Sequence, residues 1–422
     1  MSTETVTATE IEAEHSFKEN LHVFNFYRAL KRAQENPRGL IHYYQLPLGW
    51  RENKYIIEGY RFSAKHSKMW KSVFAWHNES INIWSHLIGL AIMIYIAFVH
   101  YPNSVVYQNG GKWDVLVIYA FLVASMTCLA SSSIWHTYSS FAHYPSRCNF
   151  ACIDYTGITI LITCSIIAVE YVALYHHANL VHIYIPFSTL LGIAGFFFNW
   201  SSHFDKPECR SLRIWFFVGL SFSGVTAMLC KAYYEGFLNA LKFFMPLSYK
   251  SFIWYGLGVV FYGGLIPERW RYDIIIENNA NFQGSQHHYS IVDVIDDNVA
   301  RAGDEEIEVL IEEYAEKEDH GHNDCASEVR KRAEKAEMRN LNNVSTSSDN
   351  NNNGEDDDDK FKNLISKHFK EEPIRTPYAN NFMSLWWVDY FLASHNIWHI
   401  CVLLGILGHY VVILDMFSEV LL

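Results

Sequence analysis

Two histidines, His395 and His399, open the last apolar stretch of the chain in the sequence SHNIWH. Residues at i and i+4 of an α-helix lie on the same face, one turn apart, so both rings can bind one ion. Ser132 and His136 have the same spacing at the end of an earlier apolar stretch. Three imidazoles from two helices, with a fourth position left open, are the ligand set of a catalytic-type zinc site.

Other polar residues also stand at the ends of apolar stretches. Asp154 opens the third stretch, where we expect it to hold a water at the fourth position of the zinc or to take its proton. Glu79, Asn82 and His86 share one helical face, and we expect them to brace the helices through hydrogen bonds rather than to bind metal. Ser132 has two interpretations: it binds a substrate carbonyl, or it bonds the carbonyl four residues earlier in its own helix.

Each histidine also has a structural interpretation when it is considered alone. An isolated intramembrane histidine is commonly a hydrogen-bonded packing residue, and a pair at a helix start can anchor that helix at the membrane interface. We favour metal binding because three imidazoles and one carboxylate are predicted at matched depth. Zinc accepts nitrogen ligands readily, whereas magnesium and calcium prefer oxygen, so the expected cofactor is Zn²⁺.

Seven apolar segments carry these residues, and each is long enough to cross a hydrocarbon core of roughly 30 Å. Of all the residues, 50% are hydrophobic and only 18% are charged, and the charge is concentrated outside the segments. The sequence therefore predicts an all-α membrane protein, a seven-transmembrane helix bundle. The segments, numbered 1 to 7, cover residues 80–100, 114–136, 151–173, 181–200, 213–231, 249–267 and 395–416.

Basic residues in the short flanks predict the orientation of the chain. Lysine and arginine gather before segment 1, between segments 4 and 5 and after segment 6, and fewer lie on the opposite side. Because positive flanks stay in the cytosol, the N-terminus is predicted to be cytosolic and the C-terminus extracytosolic. The starts of segments 1, 3 and 7 and the end of segment 2 then lie on the cytosolic side, where four helices bring their polar residues together.

The composition also predicts how the chain is divided. Residues 1–44 are expected to be a disordered acidic tail, and 45–78 a cytosolic segment on the membrane surface or a positive flank with aromatic anchors. Residues 79–275 hold segments 1 to 6. Residues 276–385 are expected to be an acidic, largely disordered cytosolic insert, and 386–422 hold segment 7 and the C-terminus.

The charge of the chain argues against one class of partner, and its cysteines have a structural interpretation. The net charge is −12 and no long stripe of lysine and arginine is present, which argues against a nucleic-acid partner. The eight cysteines form no C-x-x-C pair, and most lie in or beside apolar segments, where a thiol packs as a small hydrophobic group.

Four motifs, in order along the chain, resemble those of the progestin and adipoQ receptor family, which includes the adiponectin receptors and the hemolysin III-type proteins. HNESINIWSHLIG resembles its E-x-x-N-x-x-x-H motif, and SSIWHTYS resembles its S-x-x-x-H motif. IDYTGI resembles the family's third helix with its aspartate, and SHNIWH resembles its H-x-x-x-H motif. LIPERW is similar to the exit of the family's sixth helix.

The resemblance implies a seven-helix bundle with a cytosolic amino terminus. It implies zinc held by His136, His395 and His399, with Asp154 near the zinc-bound water and Ser132 near the same site. Members of the family are linked to hydrolysis of lipid amides (ceramide), to receptor signalling and, in fungi, to zinc and sterol homeostasis. The long acidic insert departs from the family pattern and lies just before the zinc-binding helix.

The leading hypothesis is a zinc-dependent membrane hydrolase of the ceramidase type that doubles as a receptor or lipid sensor. The expected partners are a membrane lipid, a sphingolipid or fatty-acid ligand, and a protein ligand or cytosolic signalling partner, in the plasma membrane or the endoplasmic reticulum. The alternative is a signalling receptor whose zinc is purely structural. A zinc transporter is disfavoured because the polar residues cluster at one face instead of continuing across the bilayer. The alkaline ceramidases are the closest enzyme alternative.

Overall fold

The computed structural model describes residues 26–201, 209–278, 371–375 and 381–421. The chain divides into two compact units. A smaller unit is drawn from Met1–Asn78, Ser140–His143 and Arg271–Asp389, and a helical unit comprises Glu79–Ser139, Tyr144–Trp270 and Tyr390–Leu422.

The smaller unit begins with helix α1 (Phe26–Glu35), strands β1 (Leu40–Ile41) and β2 (Tyr60–Arg61), and helix α2 (His66–Lys71). The two strands pair antiparallel. The rings of Phe26, Trp50 and Phe62 pack together, with centroids 5.3 to 6.1 Å apart. The prediction of a disordered tail over 1–44 is therefore wrong for residues 26–44, because these aromatic side chains give α1 a core to pack on. Residues 1–25 lie outside the described part of the chain.

A second antiparallel pair in the smaller unit joins β3 (Ile274–Asn278) to β4 (Glu371–Arg375), with Asn278 opposite Glu371. The predicted insert covers 276–385, and within it residues 276–278 and 371–375 are paired backbone. The protein is consequently not purely α-helical, and the pairing of β3 with β4 brings together the two points of the chain that flank residues 279–370. The rest of the insert's acidic run, over 279–370, lies outside the described residues.

A buried cluster of charged side chains comes from residues just before β3 and after β4. The Arg271 guanidinium lies 2.7 Å from Asp273 Oδ2 and 2.7 Å from Asp389 Oδ1, and all three side chains are 0% exposed. Asp389 Oδ1 also accepts a hydrogen bond from the backbone N–H of Ile57 at 2.7 Å, and Arg271 donates to the carbonyl of Tyr55. Buried charges persist only when they are paired and hydrogen-bonded, and the partners named here all come from the smaller unit.

The helical unit follows the predicted segments closely. Its helices are α3 (Ser80–Tyr95, continued by a π turn over Ile96–His100), α4 (Val105–Asn109), α5 (Lys112–Tyr138), α6 (Tyr144–Ala173), α7 (Ala178–Asn199), α8 (Arg210–Phe222), α9 (Val225–Glu235), α10 (Phe237–Leu247, followed by a π turn over Ser248–Phe252), α11 (Ile253–Gly264) and α12 (Ser394–Leu421).

Six helical stretches among the described residues are long and apolar enough to cross a membrane. They contain segments 1, 2, 3, 5 and 7 and all of segment 4 except Trp200, and they confirm these segments as apolar helices. Segment 6 is helical as well, but it starts earlier than predicted, at Phe237, and includes Lys242, Pro246 and Lys250, which lower its apolar character. Seven crossings and the orientation of the termini stay predictions. The six stretches are Ser80–His100, Lys112–Tyr138, Tyr144–Ala173, Ala178–Asn199, Ser211–Glu235 and Ser394–Leu421.

Close helix packing positions the polar residues in this unit. Helix α5 packs against α3 and α6, and α12 packs against α3 and α11. A Cβ atom on Gly157 of α6 would collide with Ser131 Oγ and lie 3.0 Å from the backbone Cα of Cys128, both on α5, so glycine permits this close approach. Small residues allow such contacts between helices in lipid, where dispersion and hydrogen bonding replace the hydrophobic effect.

Candidate metal centre

Three histidines meet where the end of α5 faces the start of α12. One ring nitrogen each from His136, His395 and His399 lies within 4.8 Å of the others. The ring centroids are 4.5 to 4.9 Å apart. His136 is 3% exposed and His399 is 2% exposed, while His395 is half-buried. The predicted grouping of the three imidazoles is present in the structure.

Helical periodicity explains why these residues converge. His395 and His399 lie one turn apart in the first two turns of α12, so they share a face. His136 lies in the last turn of α5, next to the point where that helix ends at Tyr138. Helix α3 contacts both α5 and α12, so it holds the two ligand-bearing ends together.

Asp154 and Ser132 also lie in buried positions on the helices that build the centre. Asp154, on α6, is 7% exposed, interacts electrostatically with His136 and has an Oδ1 atom without a hydrogen-bond partner among the described residues. Ser132 stands one turn before His136 and is 3% exposed. Its neighbours Ser131 and Ser133 donate to carbonyls of their own helix, whereas no hydrogen bond joins the Ser132 hydroxyl to another described residue.

The predicted bracing residues all contact His136 or His399. Nδ1 of His136 lies 2.7 Å from Oε2 of Glu79, and Nδ1 of His399 lies 3.1 Å from the carbonyl oxygen of Asn82. The ring of His86 stacks on that of His399, with centroids 3.9 Å apart, and its Nε2 lies 3.3 Å from the His399 carbonyl. None of the three belongs to the group of histidines, among the described residues, whose ring nitrogens could hold a metal ion.

The hydrogen-bond partners of Glu79 favour its charged form. Burial alone would favour its neutral form, but the hydrogen bond and the attraction from His136, with a contribution from His395, hold the pKa of the carboxyl well below its usual range. An amide hydrogen of Asn82 adds to this by donating to Glu79 Oε2 at 2.7 Å. A carboxylate is therefore fixed against the outer nitrogen of one predicted ligand.

The sequence reasoning missed two residues that support the centre, Asn396 and Glu268. Asn396 donates to Asn82 Oδ1 at 2.7 Å and accepts from the backbone N–H of Ala393 at 3.0 Å. Glu268 is fully buried and accepts a hydrogen bond from the backbone N–H of Ser394 at 2.7 Å. Both lie inside motifs of the sequence analysis, SHNIWH and LIPERW, and a polar residue within an apolar run is the signal that identifies them.

The donor set fits zinc. Three imidazole nitrogens within reach of one ion are the protein ligands of several catalytic zinc sites, which leave a fourth position open. The outer nitrogens of two rings face acceptors, as is usual for metal-binding histidine. The buried, unpartnered Asp154 oxygen is the kind of group that a water or an ion satisfies.

Comparison with protein families gives an independent result. The family model described as haemolysin-III related matches residues 74–410, a range that contains all three histidines.

Curated relatives agree with this match. The chain is 37% identical over 389 residues to the "ADIPOR-like receptor IZH3" of Saccharomyces cerevisiae, covering 90% of this chain and 60% of that protein. It is 35% identical over 396 residues to the protein of the same name from Eremothecium gossypii, covering 91% of this chain and 75% of that protein. The "Adiponectin receptor protein" of Drosophila melanogaster is 31% identical over 239 residues, which are 54% of this chain and 51% of that protein. The chain therefore spans about three fifths of the length of the yeast relative.

Proposed function

Because the chain belongs to the haemolysin-III-related family of adiponectin receptor-like, multi-pass membrane proteins, we propose that it is a zinc-binding, seven-helix receptor-like protein that hydrolyses lipid amides. The natural substrate class is ceramide or a related sphingolipid amide. We further propose that the hydrolysis contributes to lipid signalling and to zinc and sterol homeostasis.

The observation that carries this proposal is the meeting of His136, His395 and His399, together with a buried Asp154 whose Oδ1 atom has no hydrogen-bond partner among the described residues. Three neutral imidazoles would hold zinc and leave one position open to water or substrate. Zinc bound there would supply Lewis-acid chemistry and would lower the pKa of a water at the open position towards about 7. A purely structural site is normally closed by a fourth protein ligand, and none joins the three histidines among the described residues.

The residues around the metal have separate tasks in the proposed reaction. The Asp154 carboxylate orients the attacking water and accepts its proton, because it is buried and one of its oxygens has no other hydrogen-bond partner in the described chain. The Ser132 hydroxyl is not used by its own helix, so it donates a hydrogen bond to the carbonyl of the scissile amide. Apolar side chains of the surrounding helices receive the acyl chain.

Measuring the zinc content and the release of fatty acid on the same samples tests this function. Purified full-length protein is expected to contain about one zinc per chain and to release fatty acid from ceramide. His399→Ala should lose both properties, and His182→Ala, which changes an exposed histidine of α7, should keep both. If the wild type contains zinc but releases no fatty acid, the result would contradict the proposed hydrolase activity and favour a receptor with structural zinc.

A variant of Asp154 separates binding from chemistry. Asp154→Ala is expected to retain its zinc and to lose fatty-acid release by about 10²- to 10⁴-fold, the usual contribution of a general base. Undiminished ceramide cleavage in that variant would remove Asp154 from the mechanism.

A further inference from the structure

Helix α3 supplies no member of the histidine cluster, yet the N-terminal end of this helix, from Glu79 to Asn82, contacts two of the three histidines. Oε2 of Glu79, the residue just before α3, lies 2.7 Å from Nδ1 of His136. The main-chain carbonyl of Asn82 lies 3.1 Å from Nδ1 of His399. Both contacts are made to the same ring atom, Nδ1, on histidines that come from different helices.

These contacts determine which ring nitrogen carries the proton. A neutral imidazole has one N–H and one lone pair, and only the lone pair can bind a metal. A main-chain carbonyl has no proton to give, and Oε2 of Glu79 already accepts a hydrogen bond from the Asn82 amide, so Nδ1 is the donor in both rings. The lone pair is then on Nε2 in His136 and in His399, and the two rings present the same atom to an ion.

The two acceptors are connected to each other and to α12. The Asn82 amide donates to Glu79 Oε2 at 2.7 Å, and its own oxygen accepts from the Asn396 amide at 2.7 Å. Asn396 lies between His395 and His399 on α12. One asparagine side chain therefore links the carboxylate that orients His136 to the helix that carries the other two histidines.

We propose that Glu79 and Asn82 are positioning residues that hold His136 and His399 in the Nδ1–H form, so that both Nε2 atoms can bind one ion. The inference rests on the metal site of the proposed function. Under this proposal, residues at the N-terminal end of α3 increase the affinity of the site for metal although they contribute no ligand. Outer contacts of this kind typically change the metal affinity 10- to 100-fold when they are removed.

Zinc affinity and a cobalt spectrum test the proposal on purified full-length protein. Glu79→Ala should weaken zinc binding about 10- to 100-fold, measured by competition with a chromophoric chelator. The visible absorption of bound Co²⁺ should also change, because a ring without its acceptor is free to rotate and to change tautomer. Glu79→Gln keeps an accepting oxygen in a side chain of the same shape, so it should bind more tightly than Glu79→Ala and less tightly than the wild type. Glu419→Gln, an exposed carboxylate near the other end of α12, should match the wild type.

A double variant tests whether the two residues act as one unit. Asn82→Ala keeps the main-chain acceptor for His399 but removes the links to Glu79 and Asn396, so it should weaken zinc binding by itself. Glu79→Ala/Asn82→Ala should then lose less affinity than the two single losses combined, because part of the effect of Asn82 acts through Glu79.

The outcomes separate this inference from the proposed function. If the wild type binds zinc and both Glu79 variants bind it with the same affinity and the same cobalt spectrum, the positioning role is wrong and the metal site stands. If the wild type binds neither metal, both proposals fail. Far-ultraviolet circular dichroism and the gel-filtration volume confirm that the compared variants are folded. Should Glu79→Ala fail that check, an unchanged Glu79→Gln is sufficient to overturn the inference.

Discussion

Glu268 accepts the backbone N–H of Ser394 at 2.7 Å, and the Ser394 hydroxyl donates to its other carboxylate oxygen. Ser394 is the first residue of α12, and Glu268 follows α11 by four residues. Helix starts have N–H groups without partners and carry partial positive charge, so a carboxylate there stabilises the helix. The buried carboxylate therefore fixes the end of α12 that carries two of the three histidines.

Replacing this carboxylate should weaken the start of α12. Glu268→Ala is expected to destabilise the protein by about 1–3 kcal/mol, because it leaves a buried N–H and a buried hydroxyl without their acceptor. A lower thermal midpoint in detergent, together with weaker zinc binding, is the expected measurement. Glu268→Gln, whose amide oxygen can still accept, should recover part of both. A thermal midpoint equal to that of the wild type in both variants would show that Glu268 does not support this helix.

The Arg271 cluster should dominate the stability of the smaller unit. Arg271→Met leaves Asp273 and Asp389 buried without their cation, and breaking a buried pair from one side typically costs about 3–5 kcal/mol. The triple variant Arg271→Met/Asp273→Asn/Asp389→Asn removes all the charges and should recover much of that loss. Lys250→Met, which breaks a partly exposed pair with Asp415, should cost no more than about 1 kcal/mol. Equal shifts of the thermal midpoint for Arg271→Met and Lys250→Met would contradict this assignment.

The acidic insert should be dispensable for metal binding. Residues 279–370 carry 22 acidic and 11 basic residues, so they account for nearly all of the net charge of −12. Their ends are joined by the β3–β4 pair, with the Arg271–Asp389 ion pair outside it. Replacing 279–370 with a short turn is therefore expected to leave the zinc content and the thermal midpoint close to those of the full chain. Loss of zinc in a folded deletion variant would contradict this and would give the insert a direct role at the site.

The apolar helices and the histidine cluster could be predicted because simple periodicity determines both. Apolar runs of about 20 residues predict spanning helices, and an i, i+4 pair lies on one helical face in any packing arrangement. The predicted orientation then placed His136 at the same depth in the membrane as the histidine pair on α12. The same reasoning placed Glu79, Asn82 and His86 beside the ligands, and the structure gives each a contact with His136 or His399.

Other features could not be read from the sequence because they depend on contacts between distant residues. Arg271 pairs with Asp389, 118 positions away, and β3 pairs with β4 across the long insert. The early start of segment 6 was missed because Lys242 and Pro246 interrupt the apolar pattern, although the helix continues through them. Composition predicts a tail over residues 26–44 because it does not reveal that Phe26 packs on Trp50 and Phe62.

X-ray absorption at the zinc edge tests the central claim most directly. Wild-type protein, purified without added metal and without an affinity tag that binds metal, should give a first shell of three imidazole nitrogens at about 2.0–2.1 Å and one oxygen. His136→Ala/His395→Ala/His399→Ala, prepared in the same way, should contain no zinc. Sulfur scattering at about 2.3 Å in the wild type, or zinc retained by the triple variant, would contradict a site built by these three residues.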